Sequence, residues 1–188
     1  MKLIVIIPAY NEELTIGSVI KGLRKKGYND IIVVDDGSSD KTFEIASKEG
    51  VNVYKHMINR GLGGALNTGI TGALRKGADL IVTFDADGQH DVNDIPNLVK
   101  AIEEGYDVAI GNRINKDMPF LRRIGNVGLD FITFLLFGIY VHDSQSGLRM
   151  FTREAAAKIE IKTNKTLLSC DFNIKKIEIN ICLKKPFN

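Results

Sequence analysis

The richest chemistry in the chain lies in Asp85-Ala86-Asp87-Gly88-Gln89-His90, directly behind the apolar run Leu80-Ile81-Val82-Thr83-Phe84. Strand-forming residues that end on two carboxylates spaced i, i+2 place those carboxylates at a strand's carboxyl end, where an open α/β sheet puts its ligand. Asp85, Asp87 and the amide oxygen of Gln89 are hard oxygen donors suited to Mg²⁺ or Mn²⁺. They also leave coordination positions for the oxygens of a diphosphate, and a cation on a diphosphate makes it a better leaving group. Asp and Gly are ordinary turn residues as well, so a solvated strand-end turn accounts for the same letters.

Other turns carry reactive residue types at similar positions. Pro8-Ala9-Tyr10-Asn11-Glu12 follows the first apolar run. Tyr10 offers a ring for stacking on a base and Glu12 an acceptor, while Asn11 or Glu12 near a helix start is the plainer alternative. Asp35-Asp36 ends the second run; there a carboxylate can accept hydrogen bonds from a ribose diol or a base N–H. Asp40 or Ser39 suffices to cap the next helix. Asn59-Arg60-Gly61-Leu62-Gly63-Gly64 opens a further helix, and its glycines suit either a phosphate or tight helix packing. Arg113, leaving a later strand, can neutralise a diphosphate or sit in a surface ion pair.

The elements that position these turns follow from periodicity. Lys2–Ile7, Ile31–Val34 and Leu80–Phe84 are apolar without alternation, as strands covered on both faces require, and Val51–Lys55 and Val108–Gly111 are further strands. Between them fall helices at Leu14–Lys26, Lys41–Lys48, from the glycine-rich stretch to Lys76, and at Val92–Glu104 with Pro96 in its first turn. Strands alternating with helices predict an α/β, doubly wound, mostly parallel sheet with helices on both faces. The turns after the first, second and fourth strands then gather along one edge.

Composition narrows the function classes. At 188 residues, 44% hydrophobic and 26% charged, the chain is long enough for one domain with a real core. A net charge of +2 without a basic, aromatic-interleaved tract argues against nucleic acid. The start Met1-Lys2-Leu3 enters a strand and not a leader, and two cysteines, Cys170 and Cys182, are too few for a disulfide framework, so a reducing, cytoplasmic setting is expected. The longest apolar run, Phe131–Val141, is shorter than the ~20 residues that span a bilayer. No dinucleotide fingerprint or P-loop is present.

Ile7-Pro8-Ala9-Tyr10-Asn11-Glu12, Val34-Asp35-Asp36-Gly37-Ser38, Asn59-Arg60-Gly61, Asp85-Ala86-Asp87-Gly88-Gln89-His90 and Gly111-Asn112-Arg113 together resemble glycosyltransferase family 2, with the GT-A nucleotide-diphosphosugar transferase fold. Within it, the chain most resembles the polyprenyl-phosphate (dolichyl-phosphate) mannosyl- and glucosyltransferases, over about Lys2 to Arg153. The resemblance implies that Pro8, Tyr10 and Glu12 form the nucleotide-base pocket, and that Val34 and Asp36 contact base and ribose. It further implies that Asp85, Asp87 and Gln89 hold the metal, with Ala86 between them against the nucleotide. Arg113 would bind the diphosphate or sugar. Asp143-Ser144-Gln145-Ser146-Gly147-Leu148-Arg149 resembles the family's acceptor-side segment, which makes Asp143, with Asp87 and Arg113, the catalytic set; Asp143 can equally cap its Ser-Gly turn.

The implied reaction is inverting transfer of a hexose from GDP-mannose or UDP-glucose to a polyprenyl phosphate. The arginines of Leu121-Arg122-Arg123 and the apolar Val127–Val141 would meet a membrane surface at its cytoplasmic face, or form a core helix. Transfer to a glycan hydroxyl, and nucleotide-sugar binding without turnover, are the alternatives. The second is motivated by the Ile/Asn/Lys-rich 159–188, where the resemblance ends; residues 1–158 are expected to form the catalytic domain and the remainder a truncated or diverged tail, in which Lys176–Ile181 alternates like an edge strand.

Overall fold

The computed structural model describes residues 1–111 and 147–158, and the backbone of short strands at 160–161, 172–173 and 181–184. Seven strands form one sheet: β1 (Leu3–Ala9), β2 (Ile31–Asp35), β3 (Asn52–Lys55), β4 (Leu80–Thr83), β5 (Val108–Gly111), β6 (Arg149–Thr152) and, counting past a separate antiparallel pair β7 (Glu160–Ile161) and β8 (Phe172–Asn173), β9 (Ile181–Lys184). Their order is β3-β2-β1-β4-β6-β5-β9. All neighbouring pairs are parallel except those of β6, which lies antiparallel between β4 and β5. The doubly wound, mostly parallel architecture expected from the sequence is therefore the one observed.

The helices are α1 (Ile16–Lys25), α2 (Thr42–Lys48), α3 (Gly61–Arg75), α4 (Ile95–Glu103, after a 3₁₀ turn at Val92–Asp94) and α5 (Arg153–Lys158). Alternate strand residues face opposite layers. Val5, Ile7, Val33 and Val82 pack with Ile16, Ile20 and Leu23 of α1 and Ile95 and Leu98 of α4. On the other face Ile4, Ile6, Ile32 and Val34 pack with Ala65, Ile70 and Ala73 of α3 and Ala155 and Ala156 of α5. Full burial of each such aliphatic chain contributes about 1.5–3 kcal/mol, which is why both faces of β1, β2 and β4 are apolar. The glycines of α3 serve close approach: a Cβ on Gly69 would collide with Ile6 Cγ2, so the helix lies nearly against the sheet.

Three local expectations are corrected. Leu14 is outside α1 and 91% exposed, because the chain turns through Glu13–Thr15 before the helix begins. Asp40 stands one residue before the N-cap of α2, Lys41, although its carboxylate still accepts from the Thr42 backbone N–H at 2.9 Å. The region predicted as one helix from Val92 begins as a 3₁₀ turn, where the Asp91 side chain accepts from Asn93 N, and becomes α-helical at Ile95 with Pro96 in its first turn. Lys176–Asn180 lie outside the described residues; Ile181–Lys184 pairs in parallel with β5.

Candidate active site at the strand carboxyl ends

Because β2, β1 and β4 are parallel neighbours, the turns that follow them emerge on one edge. The chain winds outward in opposite directions on either side of β1, so the crevice between the ends of β1 and β4 is a topological switch point. The loop Tyr10–Glu12 borders it on one side and Asp85–Gln89 on the other. The first two turns are tied together: Asn11 N donates to Ser38 Oγ (3.0 Å), Ser39 N donates to Asn11 Oδ1 (2.9 Å) and Glu12 N donates to Thr42 Oγ1 (2.7 Å).

The β4 turn is braced from below and from the side. His90 Nε2 lies 2.8 Å from Asp85 Oδ2, and its ring stands edge-on to buried Phe84 with centroids 5.5 Å apart. Gln89 N donates to Asp87 Oδ1 at 2.9 Å across the turn that Gly88 makes at φ +74°. Thr83 Oγ1 donates to the Gly147 carbonyl at 2.7 Å. Gly147 is so close to Asp85 that a Cβ there would overlap both carboxylate oxygens. The segment entering β6 thus closes against the first acidic residue of the motif. On the 3₁₀ turn that follows, partial desolvation, reinforced by neighbouring Asp91 and opposed by His90, raises the Asp94 carboxyl above the usual carboxylate range.

At the end of β2 the two aspartates diverge. Asp35 points into the α2 side: Oδ1 accepts from Ser38 N at 3.1 Å, and fully buried Oδ2 has no hydrogen-bond partner among the described residues, with Lys55 Nζ 4.0 Å away. Asp36 Oδ1 accepts from the Arg60 backbone N–H at 2.9 Å and meets His56 Nδ1 at 2.6 Å. On the α2 loop, Asp40 is pushed up by desolvation but pulled further down by hydrogen bonds from the Thr42 hydroxyl and the backbone of Thr42 and Glu13, so it titrates below the usual range.

Of the residues singled out from sequence, Pro8, Tyr10, Glu12, Asp36, Asp85, Ala86, Asp87 and Gln89 share this edge. Tyr10 is 49% exposed, its ring available to a ligand. Glu12 Oε2 accepts from Thr15 Oγ1 at 2.7 Å at the start of α1. Val34 is completely buried, its side chain packed in the core against α3. Arg113 and Asp143 lie outside the described residues, as do Leu121–Arg123 and Val127–Val141. Sequence reasoning missed His56 and Thr68, which are 20 and 32 positions from Asp36 and belong to no local motif; a lone histidine at the end of the strand beside Asp35-Asp36 was the available signal.

The donor set fits a divalent cation held in an open site. Asp85 and Asp87 are partly exposed, and among the described residues no three His, Cys, Asp or Glu side chains form a closed cage. Mg²⁺ and Mn²⁺ accept such an arrangement, since Mg²⁺ in particular is commonly held by one or two carboxylates and completed by phosphate oxygens.

A sheet of this order with an Asp-x-Asp turn at its switch point is the GT-A fold of the nucleotide-diphosphosugar transferases. In fold, the chain matches the crystal structure of glucosyl-3-phosphoglycerate synthase from Mycobacterium tuberculosis in complex with Mn²⁺, UDP-glucose and phosphoglyceric acid, with a TM-score of 0.72 at 22% identity. That match covers 92% of this chain and 62% of the other. Residues 4–160 match the model of Glycosyl transferase family 2, and the chain belongs to that family. It is 52% identical to the Methanocaldococcus jannaschii protein MJ1222, over 98% of this chain and 79% of that one. It is 42% identical to the UDP-N-acetylglucosamine–dolichyl-phosphate N-acetylglucosaminyltransferase of Methanococcus voltae, over 94% and 81%.

Proposed function

We propose that the chain is an inverting glycosyltransferase that moves a hexose or N-acetylhexosamine from a nucleotide-diphosphate donor to a polyprenyl or dolichyl phosphate. The observation that carries this is the partly exposed Asp85/Asp87 pair at the switch point, braced by His90 and Gly147. The name of the Methanococcus voltae relative supports a lipid-phosphate acceptor.

Tyr10 and Asp36 would hold the nucleoside, the ring by stacking and the carboxylate by accepting a hydrogen bond. Asp85, Asp87 and Gln89 would hold a Mg²⁺ or Mn²⁺ ion, which supplies charge neutralisation to the departing diphosphate. Arg113 would add its planar cation to the same oxygens. A lipid phosphate, with a second pKa near 6, is already an anionic nucleophile near neutral pH, so the protein has chiefly to align it in line with the sugar C1–O bond. Asp143 then helps to orient the acceptor without having to remove a proton. The lipid's hydrophobic tail requires the protein to work at a membrane surface, in our reading at its cytoplasmic face. No helix among the described residues is long and apolar enough to cross a membrane. Residues 1–158 would supply the catalytic domain, and 159–188 a diverged end.

The test is a thermal-shift panel of GDP- and UDP-sugars with and without Mn²⁺, followed by radiolabel transfer to polyprenyl phosphate and to an oligosaccharide. A ligand bound only by the folded state raises the melting point as its concentration exceeds Kd. Mn²⁺-dependent shifts and label in the lipid fraction are expected; label only in the oligosaccharide, or binding without transfer, would overturn the assignment.

A further inference from the structure

Asp36 ends a chain of polar groups that the proposed reaction leaves unexplained. His56 Nε2 lies 2.9 Å from Thr68 Oγ1, which is 3.1 Å from the Gly64 carbonyl, and His56 Nδ1 lies 2.6 Å from Asp36 Oδ1. The imidazole and the carboxylate are buried, 8% and 5% exposed. An ionised carboxylate only accepts, so Nδ1 carries the hydrogen. The Arg60 backbone N–H donates to the same Oδ1 at 2.9 Å. An sp² oxygen has two lone pairs, and both are used. Among the described residues Oδ2 receives no hydrogen bond, and it is not among the side-chain atoms sealed without a partner.

We infer that His56 is a positioning residue that holds Asp36 as a one-oxygen acceptor, so that the nucleoside subsite selects a base with a single ring N–H, uracil, over guanine. The inference rests on the proposed role of Asp36 as a base contact. Uracil presents one donor, N3–H, between two carbonyls. Guanine presents N1–H beside its 2-amino group, a paired edge that matches both oxygens of a free carboxylate in the fork-like manner of a bidentate contact. With Oδ1 committed to His56 and Arg60 N–H, guanine's second donor enters the pocket unpaired. A donor desolvated without a partner costs roughly ten- to hundred-fold in affinity. Specificity of this kind comes from a group left unsatisfied by the wrong ligand.

Isothermal titration of the full chain with UDP and with GDP, both with Mn²⁺, tests this in the wild type and in His56→Leu, His56→Asn and Thr68→Val. The wild type should favour UDP by roughly ten-fold or more. His56→Leu frees one lone pair of Oδ1, the Arg60 backbone N–H keeping the other, and should narrow the UDP:GDP ratio by about ten-fold. His56→Asn, whose amide can stand in for Nδ1, should retain most of the ratio. A purely structural role would weaken both nucleotides alike and leave the ratio unchanged. Should His56→Leu fail to fold, Thr68→Val carries the test: it loosens the imidazole's outer support and should narrow the ratio by a smaller factor. Equal affinity of the wild type for both nucleotides, or an unaltered ratio in the folded variants, overturns the inference alone. A wild type that binds neither removes it together with the transferase assignment.

Discussion

Gly147→Ala puts the proposed cation site under the most direct strain. The new methyl would coincide with the Asp85 carboxylate, and Gly147 has little room to retreat. Its carbonyl accepts from Thr83 Oγ1 at 2.7 Å; the next residue, Leu148, is buried, and its carbonyl accepts from Gly111 N at 2.9 Å. Asp85 must therefore swing away and give up its bond to His90. A hydrogen bond to a charged group is worth about 1.5–3 kcal/mol, or roughly ten- to hundred-fold in an equilibrium constant. Overpacking adds a stability loss of about 1–3 kcal/mol. The informative assay is titration of Mn²⁺ in the presence of UDP, beside titration of UDP without metal. Mn²⁺ affinity should fall by at least about ten-fold while metal-free UDP binding changes little. A folded Gly147→Ala protein with wild-type Mn²⁺ dependence would refute the assignment of Asp85 as a ligand held in place by this contact.

His90→Phe keeps an aromatic ring against Phe84 but removes the bond to Asp85, and should weaken Mn²⁺ about 10- to 100-fold in the same titration with a small change in melting temperature. Asp143→Asn should slow transfer to polyprenyl phosphate without abolishing it; loss of all turnover with nucleotide binding intact would mean that a base is required. Asp40 titrates lower in the folded than in the unfolded chain, so its stabilisation is complete above the unfolded value near pH 4 and disappears as pH falls through the lower folded value. Asp40→Asn should therefore reduce stability to denaturant near neutral pH and converge with the wild type as pH falls below the folded value; a constant difference down to strongly acidic pH would contradict the assignment.

Much of this molecule is local and therefore readable in the chain. Short unalternating apolar runs bounded by turn residues and separated by helical patterns read as strands covered on both sides, and a strand that ends in Asp-x-Asp presents those carboxylates where it leaves the sheet. That reasoning located β1, β2, β4 and β5, the alternation with helices, and the acidic motif. What it could not reach depends on which distant segments become neighbours. Arg149–Thr152 has no pattern that marks it as a strand inserted antiparallel between β4 and β5; that placement follows from pairing Val82 with Met150 and Ala109 with Met150, partners more than 40 residues away in either case. It also brings Gly147 against Asp85, a contact invisible in the order of residues. Leu14 looks like part of an apolar helix face until the turn before α1 leaves it in solvent. His56 and Thr68 acquire meaning only when β3 and α3 are laid beside β2, because hydrogen-bond chemistry is decided by distances of about 3 Å and not by spacing along the chain.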